Sequence, residues 1–224
     1  MGLPLTSGPL SIFLALEQGE EFAAAAAAKT LIGLCGTAIF CVVYAKSARG
    51  NRWLRSCCLS LACYFVALES LSLPSFGLFH ECIMAFALQF ATLLIIGRPR
   101  TVLATRAAPW WDLPLRMGVA VTVVLSITGF AVALGSKWSG LLAPFPAFIM
   151  IMSAFSHQQY GPAAAHQLLY GIAVGGFGAI CFFCIVAFGL TSLGPLVAFT
   201  LAVLATFAVN GLVLAFMLRR QRGH

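Results

Sequence analysis

Residues 163–189 read AAAHQLLYGIAVGGFGAICFFCIVAFG, without a single Asp, Glu, Lys or Arg. A helix needs about 20 mostly apolar residues to cross a hydrocarbon core of ~30 Å, so this run is long enough by itself. Six further segments meet the same requirement: 23–45, 53–73, 76–96, 114–135, 138–156 and 194–218. An eighth, 4–16, is apolar but short and carries Pro9. At about 1.5 Å per residue it falls well short of the core thickness. The expected fold class is an all-α polytopic membrane protein with seven full transmembrane helices and one short N-terminal helix.

The composition agrees. Of 224 residues, 61% are hydrophobic and 8% charged, and mean hydropathy is +1.00. A soluble domain is about 45–50% apolar and about 25% charged. A soluble enzyme, a disordered tail and a conventional nucleic-acid binder are therefore excluded, and the lipid bilayer is the first expected partner. The net charge of +7 has a membrane explanation, because Lys and Arg gather in cytoplasmic loops.

The charges also orient the chain. Lys46, Arg49, Arg52 and Arg55 share one loop; Arg98, Arg100, Arg106 and Arg116 share another; Arg219, Arg220 and Arg222 form the tail. Counting spans puts all three groups on one side, and Glu17, Glu20, Glu21, Glu69 and Glu81 on the other. Lys137 breaks the pattern. Lys29 lies within a span near its outer end and can snorkel. The basic side, including the C-terminus, should be cytoplasmic, in a bacterial inner membrane.

Laid over itself with Pro4 on Pro146, the chain partly matches itself without gaps. At this offset Ser11, Phe13 and Gly19 fall on Ser153, Phe155 and Gly161; Gly33, Gly36 and Phe40 fall on Gly175, Gly178 and Phe182. Twelve of the 62 positions from 4 to 65 are identical. The expected organisation is a first repeat over 1–73, a connecting helix and loop over 74–113, a second repeat over 114–218, and a basic tail over 219–224. Five spans separate the two copies, so they cross in opposite directions. Such inverted-topology repeats are common in secondary transporters, with the binding site near the midplane between the halves. The second copy is preceded by span 114–135 and the first by almost nothing. The natural product is therefore expected to start upstream, or a second protomer in a homodimer to supply the missing helix.

Polar residues in an apolar chain are the candidates for chemistry. Ser11 leads into Glu17, Gln18 and Gly19 in one copy, and Ser153 into His157, Gln158, Gln159 and Gly161 in the other. A glycine can break each short helix there and expose carbonyls for a substrate or ion. Glu17 or His157 is the candidate carrier of a coupling proton, since His titrates near neutrality. The alternative is that these residues cap helix ends at the interface. Asn210 lies within the last span, as a ligand contact or an interhelical hydrogen bond. His80 and Glu81 are expected to face headgroups.

No chemistry is expected from the eight cysteines. Cys181-x-x-Cys184 has redox or metal spacing, but no second pair or histidine sits near it in the sequence, and the thiols read as small apolar packing groups. No HExxH, GxSxG or P-loop occurs. No enzyme activity, cofactor, metal or nucleic-acid partner is expected. Residues 1–3 carry no basic n-region, and the first apolar stretch ends in Glu17-Gln18-Gly19-Glu20-Glu21, unlike a secretory signal.

At Phe145-Pro146-Ala147-Phe148, followed by Ser153, Phe155 and Gly161, the chain resembles a small bacterial inner-membrane family required for efficient alginate biosynthesis. The resemblance covers about residues 115–218, one copy of the repeat; the whole chain looks like a two-copy relative. It implies about four helices per copy and a role in envelope polysaccharide synthesis or export. The family's histidine lies nearer the proline than His157 does. In topology alone, the paired copies are similar to the drug/metabolite transporter superfamily. Two functions are thus expected: a small secondary transporter or exporter of an unidentified solute, or a non-transporting accessory of the envelope.

Overall fold

The computed structural model describes residues 7–50, 52–73, 77–99 and 146–222, with isolated helical positions between 114 and 125. It is all-helical among the described residues: α1 (Ser7–Glu17), α2 (Glu20–Ser47), α3 (Trp53–Ser72), α4 (Leu78–Ile96), α5 (Ala147–Tyr160), α6 (Pro162–Leu193) and α7 (Pro195–Arg222). Five of them, α2, α3, α4, α6 and α7, are long and apolar enough to cross a membrane. These are the helices of a multi-pass membrane protein.

The count of full spans differs from the expected seven at two places. Span 114–135 lies, apart from isolated positions, outside the described residues. Of span 138–156, residues from 146 onward are described. They form α5, which continues through His157 to Tyr160 and has 14 residues. That is about 21 Å of helix. The N-terminal segment forms the 11-residue α1.

Local sequence explains the breaks. Gly19 and Gly161 both adopt positive φ, +93° and +84°, a region that costs a Cβ-bearing residue energy. Each ends one short helix and caps the long one that follows. Pro162 and Pro195 open α6 and α7, where a missing N–H costs nothing and φ is already helical. Helix starts recur at the offset that carries Pro4 onto Pro146. Glu20 and Pro162, which open α2 and α6, are one such pair; Trp53 and Pro195, which open α3 and α7, are another.

The long helices α2 and α6 form the centre. In their most apolar stretches 50% and 44% of residues are buried, against 22% for α7. They pack on each other, and α2 also packs on α1, α3 and α4, while α6 packs on α4, α5 and α7. Two apolar clusters fix their direction. One joins Leu31 and Cys35 of α2 to Phe183, Val186 and Leu190 of α6. The other joins Phe40 and Tyr44 to Ala165 and Leu169. Advancing along α2 means retreating along α6, so the two run antiparallel.

Small residues permit the close approach. The Tyr64 ring of α3 lies over Gly36, where a Cβ would come within 2.9 Å of it. At the offset that carries Pro4 onto Pro146, this pair falls on Thr206 and Gly178. There Thr206 of α7 donates to the carbonyl of Gly178 at 3.3 Å. The Asn210 amide fills the space beside that glycine. Large apolar side chains such as Leu196, Leu204 and Phe207 of α7, and Phe90 and Leu94 of α4, stay exposed. A soluble protein rarely leaves such contiguous apolar patches uncovered; a bilayer would cover them.

Candidate functional site

The central helices do not close on each other completely. A cavity of about 120 Å³ lies where α2, α4, α5 and α6 meet. Leu34 and Thr37 of α2 line it, and so do Gly176 and Ala179 of α6. At the offset that carries Pro4 onto Pro146, Leu34 falls on Gly176 and Thr37 on Ala179. Gly175 and Gly176 line it with backbone alone.

Its polar groups come from α2 and α4. Gln89 of α4 is buried and its Nε2 donates to the carbonyl of Ala173 at 2.5 Å. The same end of the amide occupies the place a Cβ on Gly176 would take. Thr92, one turn later, donates to the carbonyl of Ala38 at 3.5 Å. Thr37 donates to Gly33 within its own helix at 3.0 Å. Such bonds hold otherwise costly polar groups in an apolar interior. Among the described residues, no charged side chain lines the cavity.

Toward the basic α2–α3 loop, α5 borders the cavity. Ile149 of α5 lines it, Ser153 follows one turn later, and His157 one turn after that. This face of α5 packs into the bundle: Ser153 and His157 are fully buried. The Ser153 hydroxyl has no hydrogen-bond partner among the described residues. The imidazole bridges two segments. Nε2 donates to the carbonyl of Gly50, in the loop between α2 and α3, at 2.9 Å. That assigns Nδ1 as acceptor from the Tyr44 hydroxyl, 3.4 Å away. The Cys57 thiol donates to the same hydroxyl at 3.9 Å. A second histidine makes a similar tie: His166, near the start of α6, reaches the carbonyl of Ile96 at the end of α4 at 2.9 Å.

The sequence-derived candidates separate into three groups. Ser153 and His157 share one buried face leading from the cavity. Ser11 is buried as well, but on α1, which packs on α2 and α7. Glu17, Gln18 and Gln158 are exposed and Gln159 is half-buried. Asn210 is half-buried against Gly178, a packing position between α6 and α7. Glu81, expected among headgroups, is turned inward and is 3% exposed. Its Oε1 lies 3.9 Å from Lys29 Nζ, and its Oε2 is buried without a partner among the described residues. Near it, the thiols of Cys82 and Cys184 meet at 2.8 Å across α4 and α6.

Gln89, Thr92 and Thr37 escaped the sequence reading. A signal existed: Gln89 and Thr92 are a single helical turn apart in α4, so they share a face of an otherwise apolar span. Comparison with protein-family models, curated proteins and solved structures finds no match for this chain.

Proposed function

We propose that this chain is a small secondary transporter or exporter of the bacterial inner membrane, built as an inverted-topology repeat. The carrying observation is the cavity lined by corresponding positions of two antiparallel central helices. Secondary transporters place their sites in this way, near the midplane and between repeat-related halves. The recurrence of helix starts at the offset of the sequence matches supports the repeat. So does the packing, since exchanging α1, α2 and α3 for α5, α6 and α7 maps α1–α2 onto α5–α6, α2–α3 onto α6–α7, α3–α5 onto α7–α1, and α2–α6 onto itself.

In this reading the two halves rock around the cavity. The His157 tie from α5 to the α2–α3 loop holds its basic side shut, and breaking that tie opens the site inward. Stopped-flow light scattering of proteoliposomes tests transport without labelling a solute. In a graded series of small neutral and charged solutes, at least one enters faster than into protein-free vesicles, and Ala179→Leu, which fills the cavity, abolishes the gain. Equal entry of every solute would sink the transporter reading. It would favour the second one, an accessory of envelope polysaccharide synthesis or export, whose support is the resemblance at Phe145-Pro146-Ala147-Phe148.

The basic side faces the cytoplasm in this proposal. Reporter fusions after Arg55, Arg106 and His224 are all expected to read cytoplasmic. A periplasmic reading at any one of them breaks the span count on which the opposite crossing of the two copies depends.

A further inference from the structure

We infer that the central cavity takes a small uncharged solute with an apolar body and one hydrogen-bond donor, of which phenol is a minimal example. The inference rests on reading this cavity as the transport site and adds the ligand class. Volume sets the size. An engineered cavity of about 150 Å³ accommodates benzene, so one of about 120 Å³ limits the body to about a single six-membered ring. Charge is excluded by the lining, which holds no ionised side chain among the described residues. An ion entering there would lose its hydration with nothing to replace it.

Polarity follows from where the protons already point. The hydroxyl protons of Thr37 and Thr92 are committed to the carbonyls of Gly33 and Ala38. The nitrogen end of Gln89 is lodged against α6, bonded to Ala173 and filling the space at Gly176. What remains, beside the weakly donating Cys41 thiol, is acceptor capacity: Gln89 Oε1, which bonds no described protein group, and the hydroxyl lone pairs. A ligand O–H or N–H completes that set. A ligand with acceptors alone finds little to bond.

Equilibrium dialysis of labelled phenol, toluene, benzoate and benzylammonium against the full chain in nanodiscs, corrected with empty nanodiscs, tests this. Phenol is expected to bind saturably and about tenfold tighter than toluene, with neither ion retained. Gln89→Leu, close in volume, should erase the phenol preference and leave toluene binding unchanged. Thr92→Val, a milder change, should narrow it in the same direction. Ala179→Leu should abolish binding of both. Equal affinity for phenol and toluene in the unmodified protein, or preferential retention of either ion, overturns the ligand class and leaves the central site standing. Saturable binding of none of the four, or binding that survives Ala179→Leu, overturns the site reading together with it.

Discussion

Replacing His157 with alanine is expected to destabilise the detergent-solubilised protein by about 3 kcal/mol. The ring is fully buried, so truncation leaves a void whose walls relax only partly. It also strips the Tyr44 hydroxyl, itself on a fully buried residue, of its proton acceptor. The Gly50 carbonyl is less costly to abandon, because that residue is exposed and water can replace the imidazole. Tyr44→Phe, which keeps the ring volume and removes the bond to His157 and the weak one from Cys57, should cost about 1 kcal/mol. Denaturant titration followed by helical circular dichroism measures both. A loss below about 0.5 kcal/mol for His157→Ala, the range of an ordinary surface substitution, would mean that the ring does not tie α5 to the α2–α3 loop.

Gly36→Leu should be at least as damaging, with a loss of about 3 kcal/mol. A Cβ at Gly36 would lie 2.9 and 3.0 Å from two carbons of the Tyr64 ring. That ring is fully buried and cannot swing aside, so α2 and α3 must separate. The counterpart position behaves differently. A Cβ at Gly178 meets the amide end of Asn210, a flexible, half-buried side chain that can rotate away. Gly36→Ala is therefore expected to destabilise more than Gly178→Ala, although sequence and helix register treat the two glycines alike. Thermal midpoints of the two alanine variants give the comparison. The reverse order would show that Tyr64 yields more readily than its burial implies.

The long helices could be read from the sequence because length and apolarity are sufficient for them. The breaks at Gly19 and Gly161 were equally legible, since a polar cluster ending in glycine marks the place where an apolar helix stops. What the sequence does not carry is rotation about each helix axis. His157 and Gln158 are neighbours at one helix end, yet one is buried and the other exposed. Glu81 sits in the first turn of α4, where a headgroup position and an inward one read identically. The cavity was hidden for a second reason. Gln89 and Thr92 belong to α4, outside the two segments whose sequences match each other, so those matches do not point to them. The shape of the site depends on Gly175 and Gly176, whose contribution is the absence of side chains.

In the proposed transporter the central cavity opens alternately to the two faces of the membrane. Cys41 lines that cavity and is 1% exposed, which makes it a native reporter. With the other seven cysteines replaced, membrane-impermeant thiosulfonates are added to sealed vesicles of either orientation, and a membrane-permeant maleimide confirms that the thiol is intact. Alternating access predicts that Cys41 is modified from both faces, and that His157→Ala speeds modification from the basic face. A thiol that reacts with the permeant reagent but with the impermeant one from neither face, or from one face only, would contradict it.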